Sequence, residues 1–212
     1  MDDSTAHPSP PRVLLVHGIW NAKVWLSPFA IRLRREGLAP ELFGYASVLR
    51  DPERAGDRLI AHLRRKPVEL LVGHSLGGLI ILEALRRAPE LPVRRVVCLG
   101  SPLCGSGVAT AMGGRAPFSL LLGRSRGILE TGCSPWQGPA AVGVVAGNRP
   151  HGVGRWFVPM DDTSDGTVRV AETRLAGLAD HCIVSASHSG LVMSADAVRQ
   201  TARFLLDGHF DG

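Results

Sequence analysis

Between Val68 and Leu85 the chain reads VELLVGHSLGGLIILEAL. A short apolar run, rich in β-branched and leucine side chains, stops at a glycine. Two residues later comes a serine, then two more glycines, then a long apolar segment at helical spacing. The first part suits a buried strand and the last a buried helix. The junction leaves no length for an ordinary loop, so strand and helix must meet at a sharp corner. The same order recurs along the chain. Apolar runs RVLLVHG, PELFGYA, VELLVG, VRRVVCLG, AVGVVAG and HCIVSA read as six strands. Helical patterns fall between them: Val24–Glu36, ending at Gly37; the segment opening at Asp51-Pro52, a good cap and first-turn pair; LGGLIILEALRRA; and a closing helix capped by Ser194.

Such alternation predicts an α/β fold, with mostly parallel strands in one sheet and helices on both faces. In these sheets ligands sit at the carboxyl ends of the strands. The loops HGIW, GHSLGG and GSPLCG all follow strands and should converge on one edge. Alternation breaks at 101–140, which is Gly-, Ser- and Pro-rich and too long for a plain connection, and a turn-rich stretch, NRPHGVGRWFVPMDDTSDG, follows the fifth strand. That stretch is expected to be an insertion after the fourth strand, with short helices, forming a lid or pocket wall. Residues 1–11 read as a disordered tail and 12–212 as one domain.

Composition narrows the function classes. No apolar stretch approaches the length that spans a bilayer. The acidic, polar start MDDSTAHPSPP lacks the basic start and apolar centre of a secretory signal, so the cytoplasm is the expected location. Basic residues outnumber acidic ones, 24 to 19, but the arginines come in dispersed pairs near helix ends, and aromatics are only 5%. This fits helix-dipole pairing and solvation better than nucleic-acid binding, which is not expected. Cys98, Cys104, Cys133 and Cys182 show no metal-ligand spacing. Four buried or partly buried thiols are expected, with a Cys104–Cys133 bridge only in an exported protein.

A serine hydroxyl is a poor nucleophile without help, and Gly-x-Ser-x-Gly occurs twice in this chain. GRSRG, Gly123–Gly127, has no strand before it and little room for a helix after it; it reads as a solvated loop. Ser75 has both flanking elements, with Gly73, Gly77 and Gly78 to let them approach. A reactive serine also needs a base, an orienting acid and an oxyanion site. His188, after the sixth strand, reaches the same edge as Ser75. His17 and His74 adjoin the site as packing or hydrogen-bonding groups, and His151, in a long turn, is the runner-up base. DDTSDGTV offers Asp161, Asp162 and Asp165; Asp165 is preferred because Asp-Gly marks a fixed turn, with Asp162 as the fallback. For the oxyanion, the backbone N–H of Leu76 supplies one dipole. Ile19 supplies the second, or else Trp20, which otherwise walls the pocket. Trp20, Trp25, Leu103, Val108, Met112, Phe118 and Leu120–Leu122 are the candidate apolar pocket.

The motifs LLVHGIW, VGHSLGG, SDGTV and SHSGL, in this order from residue 13 to residue 191, resemble the α/β-hydrolase superfamily, and within it the compact bacterial lipases and esterases. The resemblance implies a reduced core that starts at the oxyanion strand. It implies Ser75 as nucleophile, Asp165 as acid, His188 as base, Ile19 and Leu76 as oxyanion donors, and no cofactor. It points to hydrolysis of a small-molecule ester, and the candidate apolar pocket suits an apolar acyl group on it. Thioesterase, acyltransferase and a non-catalytic binding module are the alternatives. It specifies neither the lid, the oligomeric state nor the substrate.

Overall fold

The computed structural model describes residues 9–19, 23–45, 51–115, 118–158 and 163–211. Six strands form one sheet in the order β2-β1-β3-β4-β5-β6, and every neighbouring pair is parallel. They are β1 (Arg12–Val16), β2 (Ala39–Phe43), β3 (Leu70–His74), β4 (Arg95–Leu99), β5 (Ala141–Gly147) and β6 (Asp180–Val184). The four inner strands β1, β3, β4 and β5 read as apolar runs because both faces of the sheet are covered there, whereas the edge strands β2 and β6 carry polar and partly exposed residues. Alternate residues divide between two cores. Leu14, Val16, Leu71, Val96, Cys98, Val142 and Val144 face one. Val13, Leu15, Leu70, Val72, Val97, Leu99 and Val145 face the other. That is the period of two a pleated strand imposes.

Helices α2 (Pro52–Arg65) and α3 (Leu76–Arg87) pack with the first core. Helices α1 (Ser27–Arg35) and α7 (Ala195–Asp207) pack with the second. Two caps were legible in the sequence. Gly37 follows α1 with φ of 80°, and Ser194 Oγ accepts from Ala197 N–H at 3.2 Å to cap α7. Asp51 differs from expectation. It makes no side-chain cap to α2 and instead faces Arg124, 3.1 Å away. A charged partner from the insertion competes for its carboxylate.

The insertion contains three short helices, α4 (Gly107–Gly113), α5 (Phe118–Leu122) and α6 (Arg126–Thr131). GRSRG is therefore not a solvated loop. Gly123–Ser125 forms a 3-10 turn that runs into α6, and Ser125 is buried. The reason is Leu129, which α6 carries into the core. Ser125 keeps an ordinary φ of −81°, with no strand leading into it. All four cysteines are free; Cys104 is exposed rather than buried or half-buried, with its thiol turned to the Arg174 carbonyl oxygen at 3.0 Å. Among the described residues no helix is long and apolar enough to cross a membrane.

The chain starts inside the sheet at β1, steps to the edge at β2, then returns past β1 to β3. The connections leaving β1 and β3 therefore diverge, and a crevice opens at their carboxyl ends. The loop His17–Ile19 leaves β1 there, and Ser75 leaves β3 beside it.

Candidate active site

Ser75 has φ 55° and ψ −123°, and among the described residues it is the one non-glycine residue with positive φ. A side chain held there costs on the order of 1–3 kcal/mol, so the surroundings must enforce it. They do so through the backbone. Ser75 N–H donates to the Leu99 carbonyl at 2.9 Å, and Gly78 N–H donates to the Ser75 carbonyl at 3.1 Å. A Cβ on Gly77 would strike the Val16 carbonyl oxygen and sit 2.8 Å from that of His17. A Cβ on Gly73 would run into the Gly77–Gly78 backbone. The glycines let α3 press on β1 and β3 at the corner. Leu76 then opens α3 with an N–H that no helical carbonyl serves.

His17 fixes the loop opposite. Tyr45 N–H donates to His17 Nε2 at 3.3 Å, so the ring proton sits on Nδ1 and donates to the Gly18 carbonyl at 2.9 Å. Tyr45 also stacks on the ring at 4.4 Å, and its hydroxyl donates to the His17 carbonyl at 2.8 Å. Burial lowers the His17 pKa and keeps the ring neutral. A planar trans peptide points its N–H away from its carbonyl, so holding the Gly18 carbonyl aims Ile19 N–H to the opposite side. Tyr45 had no motif to mark it in the sequence.

His188 Nδ1–H donates to Asp165 Oδ2 at 2.7 Å. The other carboxylate oxygen accepts from Thr167 N–H at 2.9 Å and Val168 N–H at 2.7 Å. Asp165 is 1% exposed, and its carbonyl accepts from His188 N–H at 2.9 Å. The Asp-Gly turn forms as expected, with Gly166 at φ 89°. Gly100 gives the pair room, since a Cβ there would lie 3.1 Å from Asp165 Oδ2 and 3.2 Å from His188 Nδ1. Asp161, Asp162 and Trp20 lie outside the described residues.

Ser75, His188 and Ile19 line one cavity of about 270 Å3. Among the described residues no hydrogen bond links Ser75 Oγ to His188, although both face this space. In unliganded sites such bonds are often long and tighten on substrate binding. The insertion supplies an apolar wall of Pro102, Val108, Ala109, Met112, Leu122 and Leu129. Met112 and Val108 are thus where the sequence reading put them. Leu103 is not; it is fully buried in the core. Trp25 is also outside the wall, on a 3-10 turn at the surface. Of Leu120–Leu122 only Leu122 turns inward; Leu120 and Leu121 are exposed, and Phe118 packs edge-on against Phe157 at 5.1 Å. His151, the runner-up base, lines the cavity, but Asp165 is bonded to His188.

Residues 13–204 match the model of the alpha/beta hydrolase family, and the chain belongs to that family. Its fold is similar to that of the mature Bacillus licheniformis lipase BlEst2, at 22% identity and TM-score 0.67, covering 88% of each chain. It is also similar to the type II thioesterase BorB from the borrelidin biosynthetic cluster, at 18% identity and TM-score 0.64, covering 95% of this chain and 93% of that one. A third likeness is the metagenomic carboxyl esterase MGS0156, at 17% identity and TM-score 0.63, covering 95% and 74%. A search of curated protein sequences finds no match.

Proposed function

We propose that this hydrolase cleaves carboxylic esters with an apolar acyl group through an acyl-serine intermediate, without a cofactor. The observation that carries the reading is a strained, backbone-clamped serine sharing an apolar-walled cavity with a histidine that is hydrogen-bonded to a buried aspartate. In the proposed reaction His188 Nε2 takes the proton from Ser75 Oγ as it attacks the acyl carbonyl. Asp165 holds the proton on Nδ1 and stabilises the imidazolium. The developing oxyanion is met by the N–H groups of Ile19 and Leu76, aided by the positive end of α3. Collapse expels the alcohol, which receives the proton from His188. Water then attacks the acyl-serine by the same sequence. Residues 101–140 act as the pocket wall that receives the acyl chain.

The test is hydrolysis of short p-nitrophenyl esters by the parent chain and by Ser75→Ala. Turnover is expected in the parent and not in the variant, with unchanged circular dichroism, and a fluorophosphonate probe should label only the parent. Turnover retained by Ser75→Ala would remove Ser75 from the mechanism. An unlabelled, inactive parent would leave a binding module. A parallel series of acyl thioesters decides the leaving group.

A further inference from the structure

His74 is the last residue of β3 and directly precedes Ser75; it is 2% exposed. Its Nε2 lies 3.1 Å from the backbone carbonyl oxygen of His188. A carbonyl only accepts, so Nε2 carries the ring proton and Nδ1 keeps a lone pair. Nδ1 is buried and has no hydrogen-bond partner among the described residues. The two imidazole rings lean against each other with centroids 4.9 Å apart.

Among the described residues the other bonds to His188 come from a single residue. Its N–H goes to the Asp165 carbonyl at 2.9 Å and its Nδ1–H to Asp165 Oδ2 at 2.7 Å. Both fix the base relative to the acid, and neither fixes it relative to the serine. Asp165 and His188 follow β5 and β6 at one side of the sheet, whereas Ser75 follows β3 near its middle. The bond from His74 spans that gap. It ties the loop carrying His188 to the residue that shares a peptide bond with Ser75.

We infer that His74 is a positioning residue: its Nε2–H bond to the His188 carbonyl sets the distance between the His188 ring and the Ser75 hydroxyl. The roles of Ser75 and His188 rest on the proposed esterase reading; the bond itself does not. The chemistry of the site suits a neutral imidazole. Burial foremost, and then the neighbouring His188, push the His74 pKa down to about 3. A second proton on Nδ1 would find no acceptor. A neutral ring can therefore donate one hydrogen bond without repelling His188 when that residue becomes charged during turnover. An aliphatic side chain fills the same space but donates nothing, while glutamine carries an amide N–H close to the Nε2 position.

The experiment compares His74→Leu and His74→Gln with the parent, using kcat and KM on p-nitrophenyl butyrate and the far-downfield proton signal of the Asp165-bonded His188 Nδ1–H. A misplacement of the base by a fraction of an ångström to 1 Å should lower kcat of the leucine variant about 10- to 100-fold. KM should change little, because the apolar wall is untouched. The glutamine variant should return to within roughly threefold of the parent. The proton signal should persist in both variants, because the Asp165 bonds hold that proton, and so separates a displaced base from a broken acid–base pair. A leucine variant with parental kcat overturns the inference, as does loss of the signal in it, which would mean that the acid–base pair itself had broken, or a glutamine variant no better than leucine. Should His74→Leu fail to fold, the glutamine variant decides alone: near-parental kcat supports the bond, and a loss beyond about tenfold overturns it. If the parent cleaves no ester, the esterase reading fails, and amide hydrogen exchange over residues 188–190, faster in the leucine variant and parental in the glutamine variant, still tests the positioning bond.

Discussion

The two sides of the cavity are held by different forces. On the sheet side, the restraints are backbone bonds and close approaches. Ser75 is clamped by the Leu99 carbonyl, and Asp165 receives two N–H donors from its own turn. A methyl group would not fit at Gly77 or Gly100 without movement. On the insertion side, α4, α5 and α6 have 7, 5 and 6 residues. Helices that short do not persist alone, so packing must hold them. Val108, Ala109, Met112, Leu122 and Leu129 provide it, with tethers such as Glu172 Oε1, which accepts from Gly107 N–H at 2.9 Å. The proposed chemistry sits where atoms cannot give, and the proposed acyl wall sits where side chains can be exchanged.

The contrast would break most visibly at Asp165. In Asp165→Asn the amide oxygen can still accept from the Thr167 and Val168 N–H groups, so the turn should survive. The amide nitrogen then faces His188 Nδ1 as a donor and selects the tautomer with the proton on Nε2, where the base needs its lone pair. By analogy with Ser-His-Asp enzymes kcat should fall on the order of 10^4-fold, with KM little changed. Steady-state kinetics on p-nitrophenyl butyrate would show it. A variant within tenfold of the parent would hand the acid role to another carboxylate, with Asp162 the first to try.

A pair of glycine substitutions sharpens the same comparison through stability. At Gly77 a Cβ meets the Val16 carbonyl oxygen, and backbone cannot rotate out of the way as a side chain would. Gly77→Ala should cost about 1–3 kcal/mol, read from the urea midpoint. It should also cut activity, because pushing α3 off β1 moves the Leu76 N–H. At Gly127, in α6, a Cβ would meet nothing within 4 Å. Gly127→Ala should be neutral or stabilise by about 0.5–1 kcal/mol through helix propensity. Equal effects at the two positions would mean that the two sides are not mechanically different.

The sheet side was legible in the sequence because its rules are periodic. Short apolar runs, four of them closed by glycine, pointed to all six strands, and AVGVVAG coincides with β5 from end to end. The Ser75 corner, the Asp-Gly turn and His188 followed from what must lie at the carboxyl edge. The insertion resisted because its helices are too short to show a period. GRSRG looked like a loop since six residues cannot advertise a helix, yet Leu129 supplies the burial that makes one. Side-chain direction was equally hidden. Leu103 turned into the core and Trp25 outward, while Ala109, Leu129, Thr167 and Val168 lined the cavity without any signal of their own. Asp51 lost its expected capping role to Arg124, a partner 73 positions away, which no local rule could anticipate.

The smallest expected effect tests the exchangeable side directly. Met112 is 2% exposed and forms part of the cavity wall, away from Ser75 and its partners in the chain. Met112→Trp adds bulk inside the space proposed for the acyl chain, so long acyl groups should lose binding while acetyl and butyryl esters keep theirs. A pocket contact of one methylene is worth about 1–3 kcal/mol, so kcat/KM for a decanoyl ester relative to a butyryl ester should fall roughly 10-fold. Met112→Ala should move the same ratio the other way, by removing bulk without touching the corner. Thermal unfolding of both variants separates this from overpacking, which lowers activity on every ester alike. A chain-length profile that neither substitution moves would mean that the apolar wall of α4 to α6 packs the fold and holds no substrate.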